Sequence, residues 1–194
     1  VREQPDRRAD ALRRAAFVDR DGVINVERSF VYRIEDFTFL PGAVAALSAL
    51  QAAGYLLVVI TNQSGIARGL YAESDYQRLT AHMQRQLGEH GVRLDAVEYC
   101  PHLPDAPLPQ YRRDCECRKP RPGMLRRAAA ALRLDLRHSL LIGDRASDIA
   151  AGRAAGIGRC FLVRSGCALG EVDAALADAV FDDLAACAAQ ALAI

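Results

Sequence analysis

Ala15-Ala16-Phe17-Val18-Asp19-Arg20-Asp21-Gly22-Val23-Ile24-Asn25 is the stretch that decides how this chain is read. A short apolar run reads as a buried strand, and it ends abruptly in two carboxylates one residue apart. Gly22 lets the backbone turn away at once, which sets both acids at the carboxyl edge of a sheet. In open α/β sheets that edge is where ligands bind. An Asp becomes an effective nucleophile when a cation orients it and offsets its repulsion with an anionic substrate. A second Asp two positions on is placed to protonate a leaving oxygen and later to deprotonate a water. The same stretch also reads as an ordinary strand closed by a polar Asp-Gly turn, so the rest of the chain has to decide.

Further apolar runs follow at the spacing of an alternating α/β chain. Tyr55 to Ile60, Ala96 to Tyr99, Ser139 to Ile142 and Cys160 to Val163 read as four more strands. Helical patterns fall between them: from Pro41-Gly42 to a stop at Gly54, Glu73 to His90, Pro122 to Leu132 with Pro at its start, and Ala146 to Ala155. Strands alternating with helices predict a parallel sheet covered on both faces. Asn25 to Leu40, with Phe30, Val31, Tyr32, Phe37 and Phe39 among charges, suits an ordered flap or a short hairpin. The tail from Val172 mixes acids with Ala and Leu and ends helically.

The chain has 194 residues, enough for one domain with a proper core. Its hydrophobic share of 51% and charged share of 25% are those of a soluble globular protein. A net charge of +1 exerts no global pull on nucleic acid, so any basic patch must be local. No apolar stretch approaches the roughly 18 residues of a membrane span. Residues 1–14 read as a charged N-terminal extension without the apolar segment of a secretory signal, and 15–194 as the domain. The expectation is a cytoplasmic chain, with no membrane or nucleic-acid partner, and a monomer.

Each apolar strand delivers polar groups at its carboxyl end. The second gives Thr61-Asn62-Gln63-Ser64-Gly65, a hydroxyl and amides beside a turn suited to phosphate oxygens, or simply a helix cap. The fourth gives Gly143-Asp144-Arg145-Ala146-Ser147-Asp148, where Asp144 is a cap or a ligand. Asp148 reads either as an acceptor orienting water or Lys119, or as a helix-surface acid. Asp19, Asp144 and the backbone carbonyl of Asp21 together present hard oxygen ligands for magnesium. Of 25 basic residues, Lys119 is the single Lys. Its compact ammonium suits a point contact to a phosphoryl oxygen and a carboxylate.

Lys119 directly follows a cluster of metal-ligand residues. Cys100-Pro101-His102 and Cys115-Glu116-Cys117 are two close pairs across a Pro-rich loop, and such a loop usually carries function. Three thiolates and an imidazole match a closed, structural zinc site that pins the loop over 100–117 and sets Arg118 and Lys119 beside the sheet edge. The remaining Cys160, Cys167 and Cys187 are scattered, a pattern of reduced thiols rather than of a disulfide scaffold.

Asp-x-Asp-Gly, a hydroxyl at the second strand end, one Lys, and Gly-Asp-x-x-x-Asp, in this order, resemble the haloacid dehalogenase superfamily of phosphatases. The branch that acts on heptose bisphosphates is the nearer match. Phe17 to Asn25, Val59 to Gly69, the Cys/His loop and Arg118-Lys119-Pro120 carry the likeness, which spans Ala16 to the last strand. It implies a Rossmann-like three-layer α/β/α fold with no large cap domain, and magnesium as catalytic cofactor. It also implies Asp19 as nucleophile, Asp21 as general acid and base, and Thr61 and Lys119 as phosphoryl stabilisers. For the substrate, a small sugar bisphosphate, it implies contacts from the flap residues Glu27, Arg28, Ser29 and Phe30, from Asn62, Gln63 and Ser64, and from Arg118. Relatives often carry Lys where Arg145 stands here, so the cation is kept and Arg145 and Asp148 support the site. Histidinol-phosphate phosphatases look similar around Asp19, the zinc loop and Lys119. A reading of another class is a zinc-knuckle binding module whose basic face is Arg112, Arg113, Arg118 and Arg121.

Overall fold

The chain, described by a computed structural model over residues 12–168, 170 and 175–193, builds one six-stranded sheet. In chain order the elements are β1 Ala15–Val18, α1 Ala43–Ala52, β2 Leu56–Asn62, α2 Ser64–Ala67, α3 Glu73–Glu89 and β3 Ala96–Cys100. There follow α4 Gly123–Leu132, β4 Leu140–Gly143, α5 Ala146–Ala155, β5 Arg159–Val163, β6 Ala179–Phe181 and α6 Leu184–Leu192. The strand order is β3-β2-β1-β4-β5-β6, and every pairing is parallel.

Strand periodicity distributes the core. Ala16 and Val18 of β1 pack with Leu47, Leu50, Met83, Leu87 and Leu184, which place α1, α3 and α6 on one face. Ala15 and Phe17 point the other way, to Met124, Leu125, Ala128 and Ile149 of α4 and α5. Both faces are therefore dry, which is why the parallel strands read as continuous apolar runs. The chain leaves β1 for β2 and β3 on one side and returns to β4 on the other. The crevice of the sheet thus opens at the carboxyl end of β1, where Asp19 stands.

Five strands and the long helices lie where the sequence pattern puts them. The sixth strand was missed: Ala179–Phe181 is three residues long, below the length at which alternation is legible. Tertiary contacts hold it, through pairing with β5 and through the Asp178 carboxylate, which accepts the Cys160 N–H at 2.7 Å. The residues after Asn25 are an ordered flap rather than a hairpin. One antiparallel bridge, Asn25 to Phe39, and the Val26 N–H to the Thr38 carbonyl at 2.9 Å tie its ends together. Ser29 and Phe30 at its tip carry φ of 54° and 69°, a conformation that costs energy for any residue but Gly. Of the expected N-terminal extension, residues 1–11 lie outside the described residues. Arg13 pairs with the loop before β4, donating its N–H to the Arg133 carbonyl at 3.1 Å. Among the described residues no helix is long and apolar enough to cross a membrane.

Candidate active site and metal centres

The carboxyl ends of β1, β2 and β4 open into a cavity of about 560 Å³. Asp19 leaves β1 with its N–H still donated to the Ile142 carbonyl of β4 at 3.0 Å, so its backbone belongs to the sheet. Its Oδ2 lies 2.9 Å from Lys119 Nζ. That ammonium also pairs with Asp148 Oδ1 at 2.5 Å and donates to the Ile60 carbonyl at 3.0 Å, so its charge faces two carboxylates and a carbonyl. Lys119 is placed from behind by Asn62: the Asn62 amide donates to the Lys119 carbonyl and accepts the Lys119 N–H, both at 3.1 Å. Asp148, fully buried, also accepts the Arg145 N–H at 3.0 Å at the start of α5. It is the acceptor that orients Lys119 and not a helix-surface acid.

Asp144 completes a buried trio with Asp19 and Asp148, whose carboxylate oxygens all lie within 4.8 Å of one another. The Asp144 Oδ2 accepts the Cys167 N–H at 3.1 Å, while its buried Oδ1 accepts no hydrogen bond among the described residues and has Arg145 Nε 3.9 Å away. Gly22 and Gly166 make room for it. A Cβ on Gly22, whose φ is 81°, would stand 2.7 Å from Asp144 Oδ2, and one on Gly166 would stand 2.1 Å away. Three carboxylates face the Lys119 ammonium, and the Arg145 guanidinium reaches Asp144 Oδ1 only at 3.9 Å, so acids outnumber the cations beside them. Burial, against the pull of Lys119, pushes the Asp19 carboxyl up to about 8, and burial together with Asp148 pushes Asp144 up to about 6. An all-oxygen donor set, a buried oxygen without a hydrogen bond among the described residues and a surplus of acids fit magnesium.

This charge excess has a consequence for stability. Both carboxyls bind a proton more tightly in the folded chain than at their ordinary value, so the folded state binds more protons than the unfolded one. Metal-free protein therefore loses stability as pH rises from about 4 towards 8, and magnesium restores it. Thermal melts should show a magnesium-induced rise in Tm at least about 3 °C larger near pH 8 than near pH 5. An equal shift at both would separate the cation from these carboxyls.

Asp21 is held by donors on every side. Arg20, 1% exposed, lays Nε and Nη2 along both carboxylate oxygens at 2.8–3.2 Å. Asn25 Nδ2 adds a bond to Oδ1 at 3.0 Å and Gln63 Nε2 one to Oδ2 at 3.1 Å. The Gln63 amide also donates to Thr61 Oγ1 at 2.8 Å and accepts the Tyr71 hydroxyl at 2.6 Å. Because Thr61 Oγ1 already accepts, its own proton is left to donate into the cavity.

Most of the expected substrate-contact residues line this cavity: Glu27, Ser29, Phe30, Asn62, Gln63, Ser64 and Arg118. Arg28 is exposed and does not line it. Glu27 Oε1 accepts the Ser29 N–H at 2.6 Å, and its Oε2 lies 3.6 Å from Arg145, joining the flap to the loop after β4. Arg68, Tyr71, Ser147 and Cys167 line the cavity too and were not expected. Nor was any role for Arg20, since Arg is so frequent in this chain that one more carried no signal.

The second centre lies one turn of chain away. Cys100 Sγ stands 3.5 Å from Cys115 Sγ and 3.2 Å from Cys117 Sγ, and the latter pair are 3.3 Å apart. His102 Nδ1 lies 3.4 Å from Cys117 Sγ and 3.8 Å from Cys100 Sγ. A tetrahedron with zinc–sulfur bonds of about 2.3 Å has edges of roughly 3.8 Å, so the four donors fit zinc closely and leave no open position. Desolvation, then Arg113, holds His102 below its ordinary value, which keeps the imidazole neutral for a metal. The arginines that a zinc-knuckle binder would present as a basic face are tied into the loop. Arg112 and Arg113 donate to loop carbonyls, Arg118 to the His102 carbonyl, and Arg121 pairs with Asp114 and Glu116.

A parallel sheet with this strand order, an Asp-x-Asp pair at its central strand, a buried Lys and an acidic trio define a haloacid dehalogenase-type phosphatase. A family model for HAD-like hydrolases matches residues 116–187. The Vibrio cholerae D-glycero-beta-D-manno-heptose-1,7-bisphosphate 7-phosphatase is 45% identical over 88% of this chain and 91% of its own length. The Photorhabdus laumondii D-glycero-alpha-D-manno-heptose-1,7-bisphosphate 7-phosphatase is 46% identical over 79% of this chain and 84% of its own. The crystal structure of D,D-heptose 1,7-bisphosphate phosphatase from B. bronchiseptica, complexed with magnesium and phosphate, superimposes with a TM-score of 0.79 at 35% identity. That match covers 93% of this chain and 98% of the other. The chain belongs to the heptose-1,7-bisphosphate 7-phosphatase family.

Proposed function

We propose that this chain hydrolyses the C7 phosphate of D-glycero-D-manno-heptose 1,7-bisphosphate to the heptose 1-phosphate, as its relatives' names describe for them. The product feeds nucleotide-activated heptose for bacterial surface polysaccharide such as lipopolysaccharide core. The single observation that carries the reading is the placement of Lys119: one ammonium touches the attacking carboxylate of Asp19 and reaches the cavity from a zinc-tied segment.

Asp19 attacks phosphorus, forming an aspartyl–phosphate bond as the bond from phosphorus to the sugar oxygen breaks. Asp21, entering the reacting complex protonated on the oxygen that Gln63 gives up, passes that proton to the departing oxygen. Lys119 and the Thr61 hydroxyl donate to phosphoryl oxygens, where charge develops. Asp21 then takes a proton from water as the water oxygen bonds phosphorus and Asp19 is released. Asp19, Asp144 and the Asp21 carbonyl would hold magnesium, which would supply charge neutralisation at the phosphoryl group. Asn62 keeps Lys119 in place, and Arg145 and Asp148 support that end of the cavity. Glu27, Ser29, Phe30, Gln63 and Ser64 face the sugar, Arg28 stands at the flap rim, and Arg118 reaches the phosphate that is not cleaved. Residues 15–194 act as one catalytic domain, monomeric and cytoplasmic, with Arg13 and Arg14 bonded to it.

Phosphate release with magnesium should be compared for both heptose 1,7-bisphosphate anomers and for histidinol phosphate. Relatives at 45% and 46% identity bear beta and alpha names respectively, so both anomers are needed. The expected kcat/KM favours one anomer over histidinol phosphate by at least about 10²-fold, or about 2.7 kcal/mol. A preference for histidinol phosphate would reassign the substrate and leave the Asp19 chemistry standing.

A further inference from the structure

Arg20 stands out because burying a guanidinium is costly unless every charge is met, and an apolar side chain would fill the same space. It is 1% exposed, sits 5.8 Å from the Tyr76 ring, and its Nη1 finds no hydrogen-bond partner among the described residues. Its other donors reach three targets, the weakest being a 3.4 Å bond from Nη2 to Gln63 Oε1. Nε and Nη2 run along both oxygens of Asp21, and Nη2 also donates at 2.8 Å to the carbonyl of Val31, the residue directly after the left-handed Ser29-Phe30 pair. One side chain thus ties the Asp21 carboxylate to the flap beside its tip.

The carboxylate of Asp21 has about four in-plane acceptor sites. Arg20 takes one on each oxygen, Asn25 a second on Oδ1, and Gln63 a second on Oδ2. Asn25 is fully buried, whereas Gln63 lines the cavity. Gln63 is the one donor that a substrate oxygen or a water arriving in the cavity can displace. It keeps its bonds to Thr61 and Tyr71 when it yields.

We propose that Arg20, with Asn25, is a positioning residue that locks Asp21 in a single orientation, so that Oδ2, covered by Gln63 in the free protein, is the oxygen that exchanges a proton with the substrate. The proposal rests on Asp21 being the proton-transferring group. Arg20 does not line the cavity and acts chiefly through Asp21, with a longer bond to Gln63 beside it.

Arg20→Lys keeps the charge and removes the side-on pair of donors. Steady-state and pre-steady-state kinetics should be run on this variant with heptose 1,7-bisphosphate and with aryl phosphates from phenyl to p-nitrophenyl. Departure of p-nitrophenolate needs no proton, while departure of a sugar oxygen does. The expected kcat/KM falls by at least about 30-fold for the sugar phosphate and by less than about threefold for p-nitrophenyl phosphate. A burst of p-nitrophenol stoichiometric with enzyme should appear, because hydrolysis of the aspartyl phosphate also needs Asp21. Asn25→Ala should show the same pattern, smaller, and serves if Arg20→Lys fails to fold by circular dichroism. An equal loss on all substrates without a burst, or no loss on any, would overturn the proposal and leave Arg20 a structural ion pair. If the unaltered protein turns over aryl phosphates but not the heptose bisphosphate, the substrate reading fails by itself. The steepening of rate with leaving-group acidity across the aryl series then still decides the role of Arg20.

Discussion

Asp19→Asn should abolish turnover, lowering kcat by at least about 10⁴-fold, while the variant folds and, without metal, melts no lower than the unaltered protein near pH 8. The first half follows from the reaction. Asn cannot form the aspartyl–phosphate bond, and removal of a nucleophile leaves only what binding and electrostatics supply. The second half follows from the site. Burial pushes the Asp19 carboxyl up to about 8, so its ionised form is disfavoured in the folded chain without a cation. A neutral side chain of the same shape removes that cost and leaves an acceptor for Lys119 Nζ. Stability sacrificed for a reactive carboxylate is a recurring feature of active sites. Phosphate release and a thermal melt of the same preparation check both halves. Residual turnover above about 1% would assign the nucleophile elsewhere.

Cys117→Ala should strip zinc from the chain, lower Tm by roughly 6–12 °C and reduce kcat by about 10–100-fold. Cys117 is buried, packs with Cys100 against the face that holds α4, and supplies three of the short contacts in the Cys/His cluster. Losing a structural zinc removes at least about 3 kcal/mol from the region it organises, which for a chain of this size is the stated range. Activity follows because Arg118 and Lys119 are the next two residues. A misplacement of about 1 Å of a catalytic group costs on the order of 10²-fold. The loss is not total, since Asn62 and the Ile60 carbonyl still grip Lys119 from β2. Zinc content by elemental analysis, a melt and kcat measured together test the link. Full activity in zinc-free protein would show that the loop and the site are independent.

The cluster at the strand ends was legible because its chemistry is encoded in residue type at short range. Asp19, Asp21, Lys119, Asp144 and the four zinc donors each sit in a run whose spacing restricts what it can do. The second layer was not legible. Arg20 is one of many arginines, and only the fold reveals that it is buried and turned onto Asp21. Asn62 was read as facing substrate; it lines the cavity, yet both ends of its amide are committed to the Lys119 backbone 57 residues away. Arg28 was carried to the site by its neighbours in the flap, but the left-handed pair after it turns Ser29 and Phe30 into the cavity and Arg28 out. Tyr71 and Cys167 arrive by packing, one through Gly65 and Gln63, the other through Gly166 closing on Asp144.

By itself the sequence determined the parallel sheet, because strands buried on both faces must be continuous apolar runs, and it determined which carboxylates stand at their ends. It also singled out Cys100, His102, Cys115 and Cys117, which the fold gathers into one cluster that could hold zinc, because soft donors at close spacing in a polar loop have few other uses. Only the tertiary structure decided the sixth strand, the donors that hold Asp21 and Lys119, and which flap residues face the cavity. Those depend on contacts between residues tens of positions apart. Such contacts leave no periodic trace in the chain and exist only once the core has formed.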